Sequence, residues 1–154
     1  MDPVSTTASV VTLLGATGGT IKVIYNAISA IVDAPHEIRM QSKSLESFCS
    51  TITSLIHVCE QLPEEFPINL NLCGIEEFID NAKSLEAKLK AKDARIRSGN
   101  IGRVREGCRW LLFDRQLKRF FDSLEHWNIV LCQGLWVTQM SVIIIFSLVN
   151  KLTP

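Results

Sequence analysis

PHEIRMQSKSLESFCSTITSLIHVCEQLP, residues 35 to 63, is the stretch on which the fold turns. Its large apolar residues are Ile38, Leu45, Phe48 with Cys49, Ile52, Leu55 with Ile56, Cys59 and Leu62, at helical steps of three and four. Ser, Thr, Lys and Glu occupy the other face. That is the pattern of an amphipathic helix about 27 residues long, not of a strand, whose apolar residues would alternate. Pro35 opens the stretch, Glu37 places a carboxylate in the first turn, where it suits the helix dipole, and Pro63 closes it.

The segment before it reads as a second long helix. Asp2 as N-cap and Pro3 at the first helical position predict its start. Val11, Leu14, Gly18, Ile21, Tyr25, Ile28 and Val32 then recur at helical spacing, and a neighbouring row of Val10, Leu13, Val23, Ile24, Ala27 and Ile31 is apolar too. A helix greasy over most of its circumference is either central to a bundle or able to enter lipid.

After Pro63-Glu-Glu-Phe-Pro67 and a loop to about Gly74, Ile75, Phe78, Ile79, Ala82, Leu85 and Leu89 predict a third helix. Ser98-Gly99-Asn100 ends it. Val104, Cys108, Trp110, Leu111 and Leu112 suggest a short fourth. Asp114 is placed to cap a fifth, carrying Leu117, Phe120, Phe121, Leu124, Leu131 and Leu135. The fold class is therefore all-α, a helical bundle of about five helices. Leu14, Ile21, Ile52, Ile56, Phe78, Leu124 and Leu131 are expected to share its core.

A chain of 154 residues with 47% apolar and 21% charged residues suits one globular domain. Five prolines and eight glycines are too few for a turn-rich sandwich. Residues 1–140 are assigned to the bundle and 141–154 to an apolar C-terminal tail, a truncated continuation. The net charge is zero, yet Lys83 to Arg119 holds twelve basic and four acidic residues, and the remaining acids balance that excess. Trp127 to Asn150 has no charge, and a buried terminal helix is expected there rather than a transmembrane span.

The sequence offers little catalytic chemistry. Gly15, Gly18 and Gly19 follow an apolar run as a dinucleotide-binding turn would, but Ile21 stands where a third glycine belongs and no second strand follows. The five cysteines form no CxxC pair and do not stand at metal-ligand spacing from His36, His57 or His126. They read as buried free thiols of a reducing compartment. No catalytic, cofactor-binding or metal site is expected, and nucleic-acid binding through residues 83–119 lacks any DNA-reading motif.

Several local features resemble one fungal family. They are Met1-Asp2-Pro3-Val4-Ser5 with Ala8-Ser9-Val10-Val11 and Leu13-Leu14, then Lys22 and Tyr25, then Ala34-Pro35-His36-Glu37-Ile38, and finally Arg109-Trp110-Leu111-Leu112-Phe113-Asp114 with Leu117, Leu124 and Leu131. Together they are similar to the HeLo-like N-terminal domain of STAND (NLR-type) proteins, also named for azaphilone pigments biosynthesis cluster protein L. The resemblance covers roughly residues 1–137.

It implies a non-enzymatic effector or interaction domain of an NLR-like signalling or programmed-cell-death system. Such a domain acts by oligomerisation, with itself or another helical signalling domain, and by attachment to membranes from the cytoplasm. An accessory protein of a pigment biosynthesis cluster is the alternative. The membrane and self-association element is expected at Val11, Leu14, Gly15, Gly18, Gly19 and Ile21, because Gly15 and Gly19 form a G-x-x-x-G step in an uncharged helix. Lys88, Lys90, Lys92, Arg95 and Arg97 are expected to form a diffuse patch for anionic lipid headgroups.

Overall fold

A computed structural model describes residues 5–31, 35–64, 66–68, 70–97 and 114–153, with the backbone alone for 5, 6, 67 and 92–97. Four long helices occupy these residues: α1 (Thr7–Ser29), α2 (His36–Glu60), α3 (Ile75–Arg97) and α4 (Arg115–Leu152). A two-residue ladder joins β1 (Ser5–Thr6) to β2 (Pro67–Ile68), antiparallel, with Ser5 opposite Ile68. The chain is a helical bundle. The short helix expected around Val104 to Leu112 lies outside the described residues.

The buried positions repeat with unusual regularity. In α1 they are Thr7, Val10, Leu14, Thr17, Ile21, Ile24 and Ile28. In α4 they are Leu117, Phe120, Leu124, Trp127, Leu131, Gly134 and Thr138. Both alternate three and four strictly, as do Leu45, Phe48, Ile52, Leu55 and Cys59 of α2. A seam repeating every seven residues keeps one narrow face of each helix on its neighbours, the packing of coiled-coil-like bundles. In α2 the register seat between Ile38 and Leu45 falls to Gln41, whose Oε1 is buried with no hydrogen-bond partner among the described residues.

Contacts fix the arrangement. α1 packs mainly on α2 and α3, and α4 on the same two, so α1 and α4 stand at opposite corners. Gly18 of α1 lies against Ile52, while Thr7 Oγ1 shares its proton between the carbonyls of Pro63 and Glu64, at 2.7 and 2.6 Å, just past the end of α2. α1 and α2 are therefore antiparallel. Thr51 Oγ1 sits 3.2 Å from Asn128 Oδ1, and Met40 faces Phe121 across a groove, which makes α2 and α4 parallel. Gln116 Nε2 donates to Ser84 Oγ at 3.1 Å and Lys88 pairs with Asp114 at 3.8 Å, so α3 and α4 are antiparallel. The loop from α2 to α3 thus crosses the end of the bundle on a diagonal.

The helix starts follow local chemistry. Asp114 caps α4 as the sequence predicts: its Oδ1 accepts from the backbone N–H of Gln116 and Leu117 at 2.8 and 3.0 Å. α1 begins at Thr7, not near Asp2, because Ser5 and Thr6 are drawn into the ladder and the Thr7 N–H donates to the Phe66 carbonyl at 3.3 Å. Gly74 precedes α3 with φ at +86°, a conformation glycine adopts freely. At the centre, Phe78 meets Phe48, Phe120 and Trp127 with ring centroids 5.8, 5.5 and 6.2 Å away.

Candidate membrane and self-association surfaces

The six α1 positions expected to form one surface are spread around the helix. Leu14 and Ile21 are fully buried in the core, and Val11 is half-buried on its flank. Gly18 packs inward: a Cβ there would stand 3.2 Å from Ile52 Cγ2. Gly15 and Gly19 point the other way, with open space around them. The close helix contact inside the bundle is therefore made by Gly18 alone, and the Gly15–Gly19 step lies on the outer face beside Ala8, Thr12 and Ala16. In this fold those six residues do not converge.

Of the basic patch, Lys88 and Lys90 are exposed on the second half of α3. Each has an acidic companion, Asp114 for Lys88 and Glu86 for Lys90, the latter one helical turn away. The side chains of Lys92, Arg95 and Arg97 lie outside the described residues. The lysines of these pairs are exposed and the carboxylates largely covered, and the pairs lower the local positive potential.

The surface that stands out is one the sequence reading placed indoors. α4 is 38 residues long and its last buried residue is Thr138. Beyond it Ser141 and Val142 are still half-buried, and from Ile143 onward every residue is exposed, with Ile143, Ile144, Ile145, Phe146, Leu148 and Val149 on every side of the helix. Phe146 is 68% exposed, and Trp136, at the rim of the bundle, 64%. The expected buried terminal helix is corrected accordingly. An apolar run looks the same in sequence whether or not a further layer covers it, and no described element reaches this one. The tail expected from residue 141 is the uninterrupted continuation of α4.

Among the described residues, two helices are long and apolar enough to cross a membrane, Thr7–Ser29 and Arg115–Leu152. They differ in burial. α1 turns its apolar seam into the core, whereas α4 from Ile143 onward is exposed among the described residues.

The remaining features suit packing better than chemistry. Cys59 is buried and Cys49 half-buried, but Cys73 and Cys132 are exposed, which corrects the expectation of buried thiols for those two: Cys73 lies in the loop before α3, and Cys132 lies beside the Leu131–Gly134 seam of α4 rather than in it. Burial pushes the Cys49 thiol above its ordinary pKa, with Lys22 pulling weakly the other way. Burial raises Cys59 as well, and Glu60 adds to it. Both thiols are thus poor nucleophiles. Among the described residues no three His, Cys, Asp or Glu side chains stand close enough to hold a metal ion. An open groove of about 490 Å³ between α2 and α4 is lined by Met40, Gln41, Ser47, Phe121, Glu125 and Asn128, and pairs no nucleophile with a base. No family model, no curated protein and no solved structure matches the chain.

Proposed function

We propose that this chain is a non-catalytic helical effector or interaction domain that attaches to membranes and associates with further copies of itself or another helical signalling domain. It would serve an NLR-like system of the kind whose HeLo-like domains it resembles. One observation carries the membrane reading: beyond Thr138, α4 is apolar on all sides, has no charged residue before Lys151 and, past the half-buried Ser141 and Val142, is exposed at every residue from Ile143 to Leu152. Soluble monomers seldom expose contiguous apolar patches beyond about 300–600 Å². A helix apolar around its whole circumference suits hydrocarbon, which surrounds it, better than a protein groove, which covers one stripe. Burying each Ile, Leu or Phe side chain contributes roughly 1.5–3 kcal/mol.

The test is flotation of the full chain with lipid vesicles. The wild type is expected to float, and Ile144→Asp/Phe146→Asp to remain in the aqueous fraction. Because those side chains make no contact in the bundle, the double variant keeps the wild-type melting temperature. A wild-type chain that stays monomeric in the aqueous fraction contradicts the reading.

A further inference from the structure

We propose that the domain stands on a lipid surface by one end, with the second half of α4 lying obliquely in a single leaflet and the basic residues held in water at the far end. Attachment then requires no anionic lipid. This rests on the membrane reading above and adds the inserted element, its depth and the lipid class.

Charge is segregated along the bundle. At the end where α1 begins and α2 finishes, α1 has no Asp, Glu, Lys or Arg from Thr7 to Ile21. α2 has none between Glu46 and Glu60, and α4 none between Glu125 and Lys151. The antiparallel and parallel pairings bring these three stretches to the same end, from which α4 projects. Glu60 and Glu64 lie there and are exposed. The opposite end carries the charges of both signs: Arg39, Lys43, Lys88, Lys90, Lys118 and Arg119, with Glu37, Glu46, Glu86, Asp114 and Asp122 among them. Along α4, Asp114 and Thr138 are about 36 Å apart at 1.5 Å per residue. That is more than three times the Debye length of about 10 Å at 0.1 M salt, so the basic end does not feel headgroups under the other end.

Four hydroxyls toward the projecting end already have partners within their own helices. Thr12 Oγ1 donates to the Ala8 carbonyl at 3.0 Å, Thr53 to Cys49 at 2.9 Å, Thr138 to Gly134 at 2.7 Å and Ser141 to Val137 at 2.9 Å. Each hydroxyl folds back on its own helix, so losing water leaves no donor stranded.

Length and one charge set the depth. Gln139 to Leu152 measures about 21 Å, against about 30 Å of bilayer hydrocarbon. The helix ends at Leu152 because Thr153 precedes Pro154, and a residue before proline avoids helical geometry. An upright tail would leave Lys151 near the bilayer centre, where a charge is expensive. An oblique tail keeps its ammonium within reach of the near headgroups, its alkyl stem in the apolar layer.

The experiment floats the full chain with phosphatidylcholine vesicles, alone or with phosphatidylserine, at salt from about 0.1 M to about 1 M, where the Debye length falls to about 3 Å. Binding is expected to agree within about twofold across lipid charge and salt, and Lys90→Glu/Lys118→Glu/Arg119→Glu should bind like the wild type, since none of these charges approaches the surface. Trypsin trapped inside the vesicles, with inhibitor outside, should not cut after Lys151, whereas trypsin added without inhibitor to the detergent-dissolved sample should. Dependence on phosphatidylserine, weakening by salt, loss of binding on charge reversal, or cleavage from within would each overturn the proposal while leaving membrane attachment standing. Failure of the wild type to bind either vesicle removes the membrane reading itself, and this proposal with it.

Discussion

Leu70 rests directly on the backbone of α4 at Gly134, so closely that a methyl group there would overlap Leu70 Cδ1. Leu70 is itself 4% exposed and has little room to move. Gly134→Ala therefore sets a helix-propensity gain of up to about 1 kcal/mol against an overpacking cost of about 1–3 kcal/mol. A net loss in denaturant midpoint is expected for Gly134→Ala and a larger one for Gly134→Val. Adding Leu70→Ala to Gly134→Ala should return part of the loss, a coupling that a double-mutant cycle reads directly.

Gly15 and Gly19 should behave in the opposite way. Nothing lies near the Cβ either would gain, and both sit inside α1 with ordinary backbone angles. Gly15→Ala and Gly19→Ala are each expected to raise stability by about 0.5–1 kcal/mol, and thermal melts of the two variants decide it. A fall in melting temperature at either position would mean that this face is covered in solution, as by a second copy.

Removing the cap at Asp114 costs the two hydrogen bonds to Gln116 and Leu117 and the ion pair with Lys88. Asp114→Ala should destabilise by about 1 kcal/mol, within a range of 0.5–2, and Asp114→Asn by less, because Asn also caps well. Urea titrations of the three proteins give the order.

The thiols should separate by accessibility. Cys73 and Cys132 are expected to alkylate quickly, and Cys59 only when the bundle opens. The pH dependence has a definite sign. Burial raises the Cys49 and Cys59 pKa values in the folded chain, so the unfolded chain ionises first as pH rises. Their contribution is intact below the ordinary thiol pKa of about 8.5 and is lost progressively above it. Cys59→Ala should flatten the alkaline fall in stability, as a melting series from neutral pH upward would show.

Much of the architecture is legible in the chain. Ile38 to Cys59 announces α2, and Asp114 ahead of Leu117 marks the start of α4. Of seven residues expected to share a core, Leu14, Ile21, Ile52, Phe78, Leu124 and Leu131 are buried and Ile56 packs on their edge. The orientation of α1 is harder to read. Its apolar rows on adjacent faces compete, and the winning seam includes Thr7 and Thr17, which count as polar in sequence. In the fold the Thr17 hydroxyl is spent on the Leu13 carbonyl at 2.8 Å, so that seat is dry after all. The ladder of Ser5–Thr6 with Pro67–Ile68 has no periodic signal, being two residues long on each side. The exposed half of α4 is hidden for a different reason. Hydropathy reports what a segment prefers to touch, and only the arrangement of the other helices tells that nothing reaches it.

A seam that repeats every seven residues looks the same to its neighbours after a slide of seven residues, about 10.5 Å along the axis. Four such helices could in principle mesh like racks at more than one setting. Gly134 acts as the notch that prevents this for α4. One slip would carry Trp127 onto Leu70, where even a methyl group does not fit. The opposite slip would seat Thr138 where Leu131 fills the core, leaving a void. The position of α4 is therefore indexed by its smallest residue, and with it the point along the helix where the bundle stops and the bare tail begins.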